Sequence, residues 1–208
     1  IKLFFLICIV LLLISFEFKI LVFFNQLNTI NLILLAISPF LTVLTIVGIT
    51  NAFNFIDGID GLCSGIFLTT LTTMYFLLIV EGYDIENLQI INFLFFIVLG
   101  FFLVNTNLLK LGNAFLGDSG SLILGFFVAT LFIYYTSFAE IKLKPTSILW
   151  CCSLIVFDFF SVFLQRIINR INPLKPDNRH IHHLLLNKGI SQIKILFILL
   201  SLSLFLNF

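Results

Sequence analysis

The sequence predicts an all-α protein, a polytopic bundle of transmembrane helices, on three observations. Hydrophobic residues make up 61% of the chain and charged residues only 10%, which is more apolar surface than one soluble domain of 208 residues can hide. Apolar runs long enough to cross the hydrocarbon core, about 20 residues of helix, recur along the whole length, so a single removable secretory signal does not account for them. Polar and turn-forming residues are gathered into short segments between the runs.

On that measure about seven spans form one membrane domain over residues 1–208. The first runs from Lys2 to Phe24, ahead of the polar segment Asn25 to Thr29, and the second from Ile30 to Thr50, up to an acidic island. Leu62 to Val80 is the third, ended by Glu81 to Gln89, and Ile90 to Leu109 the fourth, ended by a second acidic island. Ser121 to Ser137 is followed by the break Phe138 to Thr146, and Ser147 to Ile168 by the long segment Asn169 to Gln192 with Pro173, Pro176 and Gly189. Ile193 to Phe208 is the last and is expected to be cut short; a chain opening at Ile1, with Met74 its lone methionine, reads as a fragment without its natural start.

The formal charge of +1 says little, but its distribution orients the bundle. Alternating the spans places Lys2, Lys110, Arg166, Arg170, Lys175, Arg179, Lys188 and Lys194 on one side, and Lys19, Lys142 and Lys144 on the other. The richer side is cytoplasmic by the positive-inside rule. The same parity sends both acidic islands and a histidine-bearing loop to that face, so three polar clusters are expected to converge there.

The first island, Asn51-Ala52-Phe53-Asn54-Phe55-Ile56-Asp57-Gly58-Ile59-Asp60-Gly61-Leu62, sets two amides and two carboxylates three apart. Read as helix, successive members share a face. Gly58 and Gly61 weaken the helix and let backbone approach a bulky anion. The alternative, Asp60 capping the next helix, needs one such residue where four are present. In the second island, Gly112-Asn113-Ala114-Phe115-Leu116-Gly117-Asp118-Ser119-Gly120-Ser121, Ser119 or Ser121 is a candidate cap, and free helix amides beside them suit a phosphate. Asp118 is a candidate Mg2+ ligand, since that ion takes one or two carboxylates together with substrate phosphates.

Pro176 prevents one continuous helix through Pro173-Leu174-Lys175-Pro176-Asp177-Asn178-Arg179-His180-Ile181-His182-His183-Leu184, so a loop leading into a short helix is expected. Zinc is the weaker reading, because one His-x-His-His without cysteine lacks separated ligand pairs. Arg166, Arg170, Lys175 and Arg179 favour an anionic substrate. Asp158 lies inside an expected span, where an ionisable group is a site or helix-pairing candidate; Arg166, about 12 Å along the same helix, is too far to pair with it. Asn105 reads as a bond between helices and Lys110 as a marker of the membrane edge. Cys8, Cys63, Cys151 and Cys152 read as small hydrophobes, and neither a nucleic-acid surface nor an internal repeat is visible.

Taken in order, Asn-Ala-Phe-Asn-Phe-Ile-Asp-Gly-Ile-Asp-Gly-Leu, Phe-Leu-Gly-Asp-Ser-Gly-Ser and Arg-His-Ile-His-His-Leu resemble the polyprenyl-phosphate sugar-1-phosphate transferases, glycosyltransferase family 4 or the WecA/MraY family. The first and last are more similar to the WecA and TagO branch. The resemblance implies transfer of N-acetylhexosamine 1-phosphate from a UDP-N-acetylhexosamine to undecaprenyl phosphate at the bacterial plasma membrane, with release of UMP and use of Mg2+ or Mn2+. It implies catalytic roles for Asp57 and Asp60, metal contacts at Asp118 and Asn54, and substrate contacts at Asn51, Arg166, Arg179, His180, His182 and His183. It leaves room for a homodimer. The Asp-Asp pair and following lysine that the family carries before the first span are not in this chain, which implies a fragment inactive alone. The alternatives are a phospho-MurNAc-pentapeptide transferase, a transporter with acids at mid-bilayer and repeated halves, or a decayed paralogue.

Overall fold

The computed structural model describes residues 2–15, 29–107, 114–139, 143–170 and 179–207, and no strand occurs among them. The helices are α1 (Lys2–Ser15), α2 (Thr29–Ile56), α3 (Leu62–Val80), α4 (Gln89–Asn105), α5 (Gly117–Ile133, extended by a π-helical turn Tyr134–Phe138), α6 (Pro145–Trp150), α7 (Ser153–Ile168), α8 (Ile181–Asn187) and α9 (Gln192–Asn207). Lys19, Lys110, Lys142 and Lys175 lie outside the described residues, as do Pro173 and Pro176.

Among the described residues, three segments are long and apolar enough to cross a membrane: Ile37–Ile56 within α2, Leu62–Val80, and Gly117–Phe138. The helices α4 and α9 are apolar but shorter. Large apolar side chains cover their outer faces, Phe93, Phe96 and Ile97 on α4 and Ile193, Phe197 and Phe205 on α9 being exposed. In water such patches would drive association; in a bilayer they are the lipid contact. The protein is an all-α membrane bundle.

α3 forms the centre of the bundle, with every residue from Leu62 to Leu71 buried. Most of its hydroxyls bond locally or across helices, Thr73 donating to the Thr69 carbonyl at 2.9 Å and Thr69 sharing a 2.9 Å bond with Ser203 of α9, whereas Thr70 Oγ1 is buried without a partner among the described residues. Among the described residues, α2 and α5 share the most extensive contact. Gly125 brings them together, since a Cβ there would stand 2.7 Å from Thr50 Cα and 2.9 Å from Phe53 Cβ.

Several boundaries differ from the expected spans, and two of them matter for the site and its support. α2 does not end at Thr50 but runs through the first half of the acidic island, with Asn51 and Asn54 in its last turns. The expected span Ser147 to Ile168 is broken at Cys151–Cys152 into α6 and α7. A broken helix beside lipid must have its backbone groups met by a neighbour, and Asn207 of α9 does this. Its Nδ2 donates to the Cys151 carbonyl at 2.8 Å, while its Oδ1 accepts Ser153 Oγ–H at 2.8 Å.

Candidate active site

Where α2 stops, the chain turns sharply over Asp57 to Gly61, held by Gly58 N–H to the Ile56 carbonyl (2.8 Å) and Leu62 N–H to the Ile59 carbonyl (3.0 Å). Gly61 closes the turn at φ +82°, in the left-handed region that side-chain-bearing residues avoid. No side chain caps α3, so Asp60 is not consumed as a cap and stays exposed.

Asn105, at the end of α4, ties the two acidic islands together. Its Oδ1 accepts Gly61 N–H at 2.7 Å and its Nδ2 donates to the Ala114 carbonyl at 2.7 Å. The interhelical bond expected of it therefore exists, to backbone rather than side chains. Asn105→Ala is expected to lower stability by about 1–3 kcal/mol, because it strands the buried Gly61 amide and the part-buried Ala114 carbonyl. Thermal unfolding in detergent measures this, and an unchanged melting temperature would contradict the clamp.

Asp118 lies in the first turn of α5, not ahead of it, and neither Ser119 nor Ser121 caps the helix. Ser121 Oγ instead donates to Asn54 Oδ1 at 2.9 Å, with its own turn's Asp118 carbonyl at 3.2 Å. One bond thus joins the last turn of α2 to the first turn of α5, and Asn54 holds Asp118's helix in place. The Asn51 amide turns back on its own helix, donating to the Val47 carbonyl at 2.7 Å.

The carboxylates crowd one another. Burial, then Asp118, then Asp60 push Asp57 up to about 6, so the cluster gathers negative charge as the pH approaches neutrality. Carboxylate oxygens gathered in this way are donors of the kind that Mg2+ takes. Among the described residues no three acids, histidines or cysteines close around one point, so the protein would provide part of a shell, leaving the rest to water and phosphate oxygens as Mg2+ prefers. A proton held by Asp57 favours the folded protein below pH 3.8, and this stabilisation is lost as the pH rises through about 6. Mg2+ is therefore expected to raise the melting temperature more at pH 7.5 than at pH 5, where protons compete for the site. An equal shift at both would contradict cation binding at this cluster.

The histidines reach the acids through Gly58. A Cβ on Gly58 would overlap the His182 ring, so the turn and α8 are in direct contact. His182 is fully buried, and neither of its ring nitrogens has a hydrogen-bond partner. Burial, then His183 and His180, push it down to about 4 against the opposing pull of Asp158, so the ring is neutral at physiological pH. An aromatic ladder sets its angle: Phe159 stacks on Phe55 (6.2 Å), Phe55 on His180 (5.4 Å) and His180 on His182 (6.2 Å), with His183 tilted 4.1 Å from His182. Arg166, buried in the last turn of α7, and exposed Arg179, just before α8, flank the connection between these helices.

Sequence alone marks Gly58 as a point of close backbone approach but not its neighbour His182, does not mark Phe55 as a contact residue, and offers no partner for Asp158. Phe55 is an apolar residue between Asn54 and Asp57, and only that unusual placement distinguishes it. Asp158 Oδ2 lies 2.7 Å from His180 Nδ1, and its Oδ1 accepts Ile181 N–H at 2.9 Å.

The fold and the site together define a polytopic helical membrane protein in which carboxylates from two inter-helix islands meet an imidazole-bearing short helix. Such a site joins a turn after one helix to the first turn of another. The chain belongs to glycosyl transferase family 4, whose profile matches residues 1–136, both acidic islands included. It is similar to the undecaprenyl-phosphate alpha-N-acetylglucosaminyl 1-phosphate transferase of Salmonella typhi, with 29% identity over 107 residues, 51% of this chain and 29% of that protein. The protein of the same name from Escherichia coli K12 is 28% identical over 107 residues, again 29% of its length. That of Pasteurella multocida is 28% identical over 79 residues, 38% of this chain and 22% of the relative. The matched stretches thus span less than a third of these relatives.

Proposed function

We propose that the whole protein containing this chain transfers N-acetylhexosamine 1-phosphate from a UDP-sugar to undecaprenyl phosphate, releasing UMP, at the cytoplasmic face of the bacterial plasma membrane. The observation that carries this reading is the crowding of Asp57, Asp60 and Asp118 beside a turn whose Gly58 packs directly on His182, in a chain whose matched relatives are named for that transfer. A site at the end of a helix bundle suits a reaction between one soluble and one membrane-anchored substrate. An oxygen of the lipid phosphate forms a bond to the sugar-bearing phosphorus. The bond from that phosphorus to the bridging oxygen breaks, and its electron pair leaves with UMP.

Catalysis of such a transfer is mostly positioning and neutralisation of charge on phosphate oxygens. Asp118, with Asn54, would hold Mg2+, which supplies positive charge to the diphosphate when bound. Asp57 and Asp60 orient the diphosphate end, and the glycine at 58 lets their turn lie directly against His182. Neutral His182 can donate or accept one hydrogen bond without adding charge. Arg166, Arg179, His180 and His183 meet the sugar nucleotide, and Asn51 supports the turn from within α2.

The reading is tested by incubating membranes containing that whole protein with UDP-GlcNAc and undecaprenyl phosphate. Release of UMP that requires both the lipid and Mg2+ is expected. Release of UDP instead, or UMP formed without the lipid, would contradict it.

A further inference from the structure

Asp158 is a buried carboxylate on α7 whose oxygens both serve α8 across the connection. Its side chain is 10% exposed and that of its partner His180 only 6%. A carboxylate at that depth is expensive unless fully engaged, and here Oδ1 takes Ile181 N–H at 2.9 Å while Oδ2 meets His180 Nδ1 at 2.7 Å. Ile181 is the first residue of α8, so its N–H is one of the donors that the helix itself cannot satisfy. An ionised carboxylate can only accept, which fixes the His180 proton on Nδ1. Covalent geometry then puts Nε2 on the edge of the ring turned away from Asp158. Phe55, stacked on the ring at 5.4 Å, fixes its plane, and Phe55 belongs to the same helix turn as Asn54 and the start of the acidic loop.

We infer that Asp158 is the positioning residue for His180: by holding Nδ1–H and the first amide of α8 together, it sets both the tautomer and the placement of the imidazole that meets the UDP-sugar. The role of the imidazole in turnover rests on the transferase reading; the tautomer does not. A purely structural Asp158 would merely cap α8. Asp158→Asn separates the two roles, because the amide oxygen still accepts Ile181 N–H whereas the amide nitrogen now donates to Nδ1 and forces the His180 proton onto Nε2.

Two measurements decide. In [15N]histidine-labelled protein at pH 8, the imidazole signal that His180→Gln removes is expected to report the Nδ1–H form, changing to Nε2–H in Asp158→Asn. An Nε2–H form in the unsubstituted protein overturns the inference, whatever the activity. In the UMP-release assay, Asp158→Asn is expected to lower kcat about a hundredfold, the scale of a misplaced catalytic contact, with its melting temperature unchanged. In a His180→Gln background the same substitution should cost nothing further. Losses that multiply, or Asp158→Asn activity equal to the unsubstituted protein, overturn the inference while leaving the transferase reading intact. Unsubstituted membranes that release no UMP overturn that reading instead, and the histidine spectrum alone then decides this one.

Discussion

Membranes containing the Asp118→Ala protein are expected to release UMP about 10²–10³-fold more slowly than unsubstituted membranes, the scale of losing one preorganised electrostatic contact at a reacting phosphate. The physical basis is the position of Asp118 in the first exposed turn of α5, close enough to Asp57 to raise its proton affinity. Removing it relieves repulsion within the acid cluster, so the unliganded protein is not expected to melt earlier. The stabilisation by Mg2+ should shrink. Loss of activity without loss of stability distinguishes a site residue from a packing one, and retained activity would remove Asp118 from the metal assignment.

The second large effect lies in the packing that holds the site. Gly125→Val is expected to destabilise the bundle by about 3 kcal/mol or more, because overpacking a tight interface already costs about 1–3 kcal/mol for modest insertions. The atoms a side chain would meet include Thr50 Cα at 2.7 Å and the Thr50 carbonyl at 3.1 Å. Backbone cannot rotate aside as a side chain can, so α5 must move off α2. That displacement also parts Ser121 from Asn54, four residues and one turn nearer the site. A Cβ at Gly100 on α4 would meet no atom within 4 Å, so Gly100→Ala should be tolerated and serves as the control. Thermal unfolding of both variants in detergent measures the contrast; equal melting temperatures would contradict the close approach of α2 and α5.

Much of the scaffold is legible in the chain because the bilayer imposes a simple rule on apolar length. The expected span Leu62 to Val80 coincides with α3, bounded by glycine on one side and Glu81 on the other. Convergence of the acidic islands is legible too, from the parity of apolar runs and the placement of lysine and arginine. The structure supplies the contacts behind it, through Asn105, Ser121 and Gly58.

What stays hidden depends on residues distant in the chain. Nothing local to Cys151–Cys152 announces a helix break, since neither proline nor glycine stands there; the partner that satisfies it, Asn207, lies in the last helix. Asp158 stands out as costly in an apolar run, yet the nearest cation in sequence is Arg166, on the same helix and too far along it. Its partner is His180, beyond a loop, and helical spacing carries no information about that contact. The π-stacked ladder from Phe159 to His182 likewise draws on α7, α2 and α8. Its members are ordinary apolar and polar residues until the helices are assembled.

The most direct measurement is isothermal titration of UDP into the protein in lipid nanodiscs, with and without Mg2+, for the unsubstituted protein, Asp118→Asn and His182→Gln. If acids and imidazoles from separate helices grip one diphosphate, UDP binds measurably tighter with Mg2+, Asp118→Asn abolishes that dependence, and His182→Gln weakens binding even with the cation present. UDP affinity indifferent to Mg2+ and to both substitutions would contradict a shared diphosphate site.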